Sequence, residues 1–99
     1  MIIPNGFSPN GDGINDYFFI TCMEEYPDAR LLIYSGSSTL LYEQDHYGNR
    51  DFWGNEDTSW WNGTDKDKNK LDPGSYIYIL DLQQGSKDMI KTGVVFISR

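Results

Sequence analysis

The chain carries its strongest strand signal in SYIYILDL, residues 75–82. One face of an extended segment here carries aromatic and apolar side chains at Tyr76, Tyr78, Leu80 and Leu82. The opposite face carries Ile77 and Ile79. Apolar side chains on both faces are typical of a strand that lies inside a sheet and is covered on both sides. We therefore predict a central strand over these residues.

Shorter apolar runs lie on both sides of this segment and alternate with Gly, Asn and Pro turn signals. They predict further strands at residues 17–21, 30–34, 39–43, 58–61 and 89–98. Only SGSS, residues 35–38, separates the second and third of these, which is typical of a hairpin. Residues 46–57 show no such pattern, so we predict a long surface loop there. Many short strands between turns indicate an all-β protein of the sandwich type.

Composition excludes several classes of protein. The 99 residues suit one domain, and a hydrophobic content of 38% is too high for a disordered chain. Eight basic against fifteen acidic residues give a net charge of −7, so we expect no nucleic-acid partner. No apolar run approaches the roughly 18 residues of a membrane helix, so we do not expect the chain to span a membrane.

Nucleophilic catalysis would need a Ser or Cys beside a His and a carboxylate. The chain has one Cys, Cys22, and one His, His46, and neither lies in a recognisable motif. A single Cys also excludes an intrachain disulfide. We therefore expect no enzyme activity and predict no catalytic residues.

FSPNGDGIND, residues 7–16, combines turn-forming Gly and Asn with oxygen ligands. The spacing of Asn10, Asp12 and Asp16 partly matches a calcium loop of the EF-hand type. Ser8 would occupy the first ligand position and Phe19 that of the bidentate Glu, so two charged ligands are missing. Asn and Asp also gather in turns for backbone reasons alone. The residues leave both interpretations open, a self-bonded loop and a calcium site, and we expect no cofactor to be required.

Aromatic residues and a second acidic segment are further candidates for ligand binding. Trp53 and Tyr47 are candidate contact residues for a sugar or a partner, with core packing as the competing use. Trp60 and Trp61 are adjacent in a predicted strand, so one should face the core and the other should not. Residues 65–69, DKDKN, resemble part of a calcium loop, but alternating lysines favour a hairpin loop.

PNGFSPNGDGINDYF, residues 4–18, resembles the opening of the gliding motility-associated C-terminal domain, the type B sorting domain of the Bacteroidota type IX secretion system. The resemblance continues in order along the chain, through LLIY (31–34), LYE (41–43), WNGT (61–64), LDPGSYIY (71–78) and KTGVVFISR (91–99). One element departs from it: the family's Asn-Arg-Trp-Gly turn is replaced by SGSS at residues 35–38.

The resemblance implies an Ig-like β-sandwich of about seven antiparallel strands. It also implies that residues 1–99 are a single C-terminal sorting domain of a larger protein, which leaves by the periplasm and outer membrane to be secreted or held at the cell surface. The implied partners are the outer-membrane secretion machinery and a covalently linked upstream cargo. The predicted export determinants are Asn10, Gly11, Asp12, Gly13, Asn15, Asp16 and Arg99. The alternatives are an Ig-like adhesin spacer and a carbohydrate-binding module.

Overall fold

The computed structural model describes residues 1–11, 16–82 and 89–99. They form one five-stranded sheet, two single-turn α-helices and one 3₁₀ turn. The strands are β1 (Gly6–Phe7), β2 (Arg30–Tyr34), β3 (Leu40–Gln44), β4 (Gly74–Asp81) and β5 (Ile90–Ile97). The helices are α1 (Arg50–Trp53) and α2 (Glu56–Ser59), and the 3₁₀ turn is Met23–Glu25.

The sheet has the strand order β1-β5-β4-β2-β3, so β4 is the central strand, as predicted. β4 pairs antiparallel with β5 from Gly74↔Ile97 to Asp81↔Ile90, and with β2 on its other side. β2 and β3 form the predicted hairpin, and the Ser35 amide donates to the Thr39 carbonyl at 2.9 Å across its turn. The alternating pattern therefore located four of the five strands to within a residue or two.

The opening and final segments of the chain lie side by side. β1 pairs parallel to the end of β5, with Gly6 opposite Phe96. The Phe96 amide donates to the Asn5 carbonyl at 2.8 Å, and the Ser98 amide donates to the Phe7 carbonyl at 3.0 Å. A Cβ on Gly6 would lie 2.8 Å from the Phe96 carbonyl oxygen, so glycine permits this close approach.

The seven-stranded sandwich is not confirmed, because the described residues form one mixed sheet. The face of the sheet that carries Leu31, Ile33, Leu80 and Val95 packs against residues 17–29 and 46–64. We call this face the inner face and these residues the covering layer. The predicted strands at 17–21 and 58–61 are wrong. The backbone of the first makes single hydrogen bonds to scattered partners: Phe18 donates to the Trp61 carbonyl at 2.9 Å and Thr21 to the Ile2 carbonyl at 3.2 Å. An apolar run that fills a core need not join a ladder.

The prediction of a surface loop at 46–57 is corrected by the structure, because this range contains α1 and the first two of the four residues of α2. Each helix begins at an asparagine whose side chain caps it. Asn49 accepts from the Phe52 amide at 3.1 Å, and Asn55 accepts from the Thr58 amide at 2.8 Å. Gly54 lies between the helices at φ 88°, which suits glycine. Two asparagines and a glycine are therefore capping signals here.

The core lies between the inner face of the sheet and the covering layer. Its largest fully buried side chains include Phe18, Leu31, Tyr47, Trp61 and Leu80. Trp60 and Trp61 are both buried, so the expectation that one would face away from the core is wrong. The alternation rule needs a strand with one solvated face, whereas Trp60 is covered by Phe19 and Tyr47.

Candidate functional site

A cleft of about 320 Å³ lies between the end of the chain and residues 8–16, which we call the opening loop and of which residues 8–11 and 16 are described. It is lined by Pro9, Asn10, Gly11, Asp16, Tyr17, Asn62, Thr64, Lys70 and Arg99. The cleft brings together four of the predicted export determinants, Asn10, Gly11, Asp16 and Arg99. These residues are up to 89 positions apart in sequence, and the parallel pairing of β1 with β5 makes them neighbours.

The opening loop closes on itself where the structure describes it. The Gly11 amide donates to Oδ1 of Asp16 at 3.0 Å, and the Asn10 amide donates to the Ser8 carbonyl at 2.8 Å. Gly11 has φ 80°, a conformation that glycine adopts without strain. The predicted determinants Asp12, Gly13 and Asn15 lie outside the described residues. The bond from Gly11 to Asp16 is of the kind expected for a self-bonded loop.

Arg99 forms one wall of the cleft and binds main-chain carbonyls on three segments. Its Nε donates to the Leu71 carbonyl at 2.8 Å, Nη1 donates to the Pro9 carbonyl at 3.1 Å, and Nη2 donates to the Gly63 carbonyl at 2.9 Å. The planar guanidinium presents its N–H donors in a fixed fork and remains charged at any pH that proteins tolerate. Gly63 and Leu71 are the paired arms of the hairpin loop that contains residues 64–70, so Arg99 joins the opening loop to both arms of this hairpin.

WNGT, residues 61–64, supplies the second wall. Nε1 of Trp61 donates to the Thr64 carbonyl at 2.8 Å, and the Thr64 hydroxyl donates to Oδ1 of Asn62 at 2.8 Å. Gly63 has φ 83°, and a Cβ there would lie 3.1 Å from Nη2 of Arg99. Asn62, Gly63 and Thr64 had no predicted site role, although the Asn-Gly pair is a visible turn signal and WNGT is one of the stretches that carry the family resemblance.

Charges of both signs face the cleft. Lys70 and Arg99 contribute positive charge, and Asp16 contributes a carboxylate. The Tyr17 hydroxyl donates to Asp57, and this bond raises the pKa of Tyr17 to about 12. Tyr17 therefore stays protonated at physiological pH. The cleft offers hydrogen-bond donors, acceptors and charge, which suits contact with a polar protein surface better than with an apolar ligand.

The chain matches the CHU_C type IX secretion signal domain over residues 1–97. It belongs to this family. The match confirms the resemblance seen in the sequence, and a secretion signal family supports a sorting role. No curated protein matches the chain. Ser98 and Arg99 lie just beyond the matched span, and one of the three bonds of Arg99, to the Pro9 carbonyl, connects that end to the family's opening loop.

The calcium prediction for this CHU_C domain stays untested. Asp12, one of its three ligands with Asn10 and Asp16, lies outside the described residues. Within residues 1–11, 16–82 and 89–99, no cluster of three or more His, Cys, Asp or Glu residues is positioned to hold a metal ion. The second calcium-like segment is the hairpin loop that we predicted: Oδ1 of Asp65 accepts the amides of Asp67 and Asn69, both at 2.9 Å.

Tyr47 is fully buried, so the prediction that it contacts a ligand is wrong. Its hydroxyl donates to the Phe18 carbonyl at 2.6 Å and accepts from the Trp61 amide at 2.9 Å. A tyrosine that packs in a core needs such polar partners for its hydroxyl, and nothing in the local sequence indicated them. Trp53 is half-buried, and its Nε1 donates to the carbonyls of Asp45 and His46. Ligand contact by Trp53 stays a prediction.

The described part of the chain contains no helix long and apolar enough to cross a membrane. The structure thus agrees with the absence of long apolar runs in the sequence.

Proposed function

We propose that residues 1–99 are a non-catalytic C-terminal sorting domain, which directs a covalently linked upstream cargo through the type IX secretion system to the cell surface or the medium. The observation that carries this proposal is the family match over residues 1–97. The outer-membrane secretion machinery of a Bacteroidota cell is the proposed partner. The Ig-like sandwich implied by the resemblance belongs to the same proposal, and the five-stranded sheet is the part of it that the described residues supply.

We place the recognised surface at the cleft. Two segments that carry the family resemblance, the opening loop and the end of the final strand, meet there. Exposed polar groups line it, including Asn10, Lys70 and Arg99. A non-catalytic domain acts through its surface. Polar groups that come together from distant parts of the chain can make specific hydrogen bonds with a partner protein.

The direct test fuses residues 1–99 to the carboxyl end of a periplasm-targeted fluorescent reporter in a gliding Bacteroidota host. Reporter outside the outer membrane is measured in hosts with and without a functional type IX translocon. We expect export only where the translocon functions. Equal periplasmic retention of a folded fusion in both hosts would overturn the proposal and favour the adhesin spacer or the binding module.

A pair of substitutions tests where the surface lies. Asp16→Ala removes a carboxylate from the cleft, and Asp51→Ala removes an exposed carboxylate from α1 as a matched control. Loss of a charged contact typically weakens association by about tenfold or more. We expect Asp16→Ala to lower export by that factor and Asp51→Ala to leave it unchanged. Equal export from the two variants would place the recognised surface elsewhere.

Calcium binding by Asn10, Asp12 and Asp16 is a separate proposal, supported by ligand spacing alone. It is tested by the melting temperature with calcium and with a chelator, in the wild type and in an Asp12→Asn, Asp16→Asn double variant. A calcium site predicts a rise in melting temperature in the wild type that the double variant lacks. Equal melting temperatures with calcium and chelator would support the self-bonded loop.

A further inference from the structure

The guanidinium of Arg99 connects segments that are far apart in the chain. The Leu71, Gly63 and Pro9 carbonyls that it binds are 28, 36 and 90 positions away. None of the three belongs to a strand of the sheet. The Gly63 and Leu71 segments are the two arms of one hairpin loop, joined by the antiparallel bridge between Thr64 and Lys70. The guanidinium attaches both arms of this hairpin to the Pro9 segment.

The backbone around the guanidinium of Arg99 is itself hydrogen-bonded, and it leaves space for this group. The Leu71 amide donates to the Gly63 carbonyl at 2.9 Å, so two of the three segments also bond each other. Gly63 leaves open the space that Arg99 occupies, because a Cβ there would lie 3.1 Å from Nη2. A Cβ at Gly63 would also lie 3.0 Å from Cγ of Pro9, which shows how closely the walls approach.

The backbone beside Arg99 is anchored as well. The Ser98 amide donates to the Phe7 carbonyl at 3.0 Å, which continues the parallel pairing of β1 with β5 past the end of β5. Arg99 consequently leaves the sheet next to the opening loop.

Every nitrogen of the guanidinium donates to a main-chain carbonyl of the domain itself. These bonds use three of its five N–H donors, so a receptor that read this guanidinium directly would have at most two N–H groups to use without breaking them. The geometry instead suits a group that holds the cleft in shape for a receptor that contacts other residues.

We propose that Arg99 is a positioning residue for export: it holds the Pro9, Gly63 and Leu71 segments together, and the recognised surface of the cleft depends on that arrangement. This inference rests on the proposed sorting function. It replaces the sequence prediction of Arg99 as a direct recognition residue with a role exerted through the cleft.

The test compares Arg99→Gln and Arg99→Lys in the reporter fusion, with Arg50→Gln as the control. Arg50 is an exposed arginine of α1 that pairs with Glu56, so its variant loses one positive charge away from the cleft. Lysine keeps the charge at position 99 but replaces the planar fork with a compact ammonium. We expect export to fall about tenfold in both Arg99 variants and to stay unchanged in Arg50→Gln.

Amide hydrogen exchange on the 99-residue chain separates positioning from unfolding and from direct contact. The Leu71 and Gly11 amides bond within the cleft walls, and the Leu31 and Leu80 amides lie in the paired strands β2 and β4. In both Arg99 variants we expect at least about tenfold faster exchange at the cleft amides and unchanged exchange in the strands, because local opening does not require global unfolding.

A rescue variant sharpens the test. Pro9→Cys and Gly63→Cys, in an Arg99→Gln, Cys22→Ser background, place two thiols on the segments that Arg99 joined, and removal of the guanidinium frees space for a Cβ at position 63. Because Gly63 has φ 83°, cysteine is strained there, and the same variant with Pro9 retained, which cannot form the disulfide, is the control for that strain. The oxidising periplasm favours the disulfide, which is verified by gel mobility without reductant. We expect the crosslink to restore slow exchange at the Leu71 amide and at least half of wild-type export.

Four results would overturn the inference. The first is export at the wild-type level by Arg99→Gln, and the second is full export by Arg99→Lys although its cleft amides exchange fast. The third is loss of export in the Arg99 variants while their cleft amides exchange as slowly as in the wild type. The fourth is a crosslinked variant in which slow exchange is restored and export is not. The last two would make the guanidinium itself the recognised group. A wild-type fusion that shows no translocon-dependent export overturns the proposed function and the export role of Arg99 with it, whereas exchange still reports whether Arg99 holds the cleft.

Discussion

The sheet and the covering layer are stabilised in different ways. β4 makes a continuous antiparallel ladder with β5 and another with β2, so repeated backbone bonds hold the sheet. The covering layer has no ladder and depends on particular side chains, such as the Tyr47 hydroxyl and the Trp61 ring. A ladder tolerates changes of side chain because its bonds are main-chain bonds. The covering layer should therefore be the part that single substitutions damage most.

Trp61→Ala should have the largest effect. Its fully buried ring contacts Phe7 and Phe18 as well as Tyr42 and Tyr76. Truncation of a buried Trp costs ~3–5 kcal/mol of the free energy of unfolding, because it leaves a cavity. Urea denaturation with the mutant and the wild type measures this loss.

Ile33 in β2 is also fully buried, and Ile33→Ala is the matched truncation in the sheet, with an expected loss of ~2–5 kcal/mol, whereas Ile33→Val removes one methyl group and should cost ~0.5–1.5 kcal/mol. A Trp61→Ala loss no larger than that of Ile33→Ala would contradict the comparison between the two layers.

Tyr47→Phe should rank second. The hydroxyl bridges the Phe18 carbonyl and the Trp61 amide, and its removal leaves both buried groups without this partner. Burial raises the pKa of Tyr47 well above its ordinary value, so the hydroxyl is protonated and donates at neutral pH. An unsatisfied buried group costs ~1–3 kcal/mol, which the same denaturation experiment detects.

Tyr76→Phe is the control for this change, because the Tyr76 hydroxyl donates to the Asp72 carbonyl at an exposed position. We expect a smaller loss there, since water replaces the lost partner. Equal losses in the two variants would show that burial of the Tyr47 hydroxyl and its two partners adds nothing to the free energy of unfolding.

Asn55→Ala tests the cap of α2. Its Oδ1 accepts from the amide and from the hydroxyl of Thr58, both at 2.8 Å. Loss of such a cap costs about 1 kcal/mol. Thermal unfolding monitored by circular dichroism should show the loss, and Asn55→Ser, which retains a capping oxygen, should restore most of it. A serine variant as unstable as the alanine variant would argue against capping.

Asp65→Asn should have the smallest effect, and one that depends on pH. Hydrogen bonds from the Asn69 amide, and then from the Asp67 amide, hold the pKa of Asp65 below its ordinary value. A depressed pKa means that the ionised form stabilises the fold above the pKa of the unfolded chain, near pH 4, and that this contribution is lost as the pH falls through the lower folded value.

We therefore expect the difference in melting temperature between wild type and Asp65→Asn to be small at pH 7 and to shrink below about pH 4. Melting curves from pH 7 to pH 2 measure it. A difference that grows on acidification would reverse the sign of the argument.

The strands of the sheet were predictable because alternation of side chains is a local property. β2, β3, β4 and β5 lie within a residue or two of the predicted segments. Residues 17–21 and 58–61 were also predicted as strands, yet the first is irregular and the second is the end of α2 and the two residues after it. Phe18 and Trp61 fill the core from outside the sheet. Apolar patterning reports burial, and burial alone does not specify a ladder.

The candidate site was predictable in part. The opening loop and Arg99 were singled out from the family resemblance, and the structure brings Asn10, Gly11 and Asp16 to the same cleft as Arg99. The carbonyl acceptors of Arg99 were not predictable, because any residue carries a carbonyl. Tyr47 was a candidate for ligand contact because its ring could contribute to an aromatic platform, with core packing as the competing use, and only its distant partners show that it is buried.

The sequence by itself determined the predominance of strands, the central position of residues 75–82, the acidic charge and the family, since each depends on residue identity and local order. The tertiary structure alone decided that the core is closed by an irregular layer and that both ends of the chain meet at one cleft. It also decided that Arg99 binds three carbonyls of its own domain. These features depend on contacts between residues up to 90 positions apart, which local patterning does not encode.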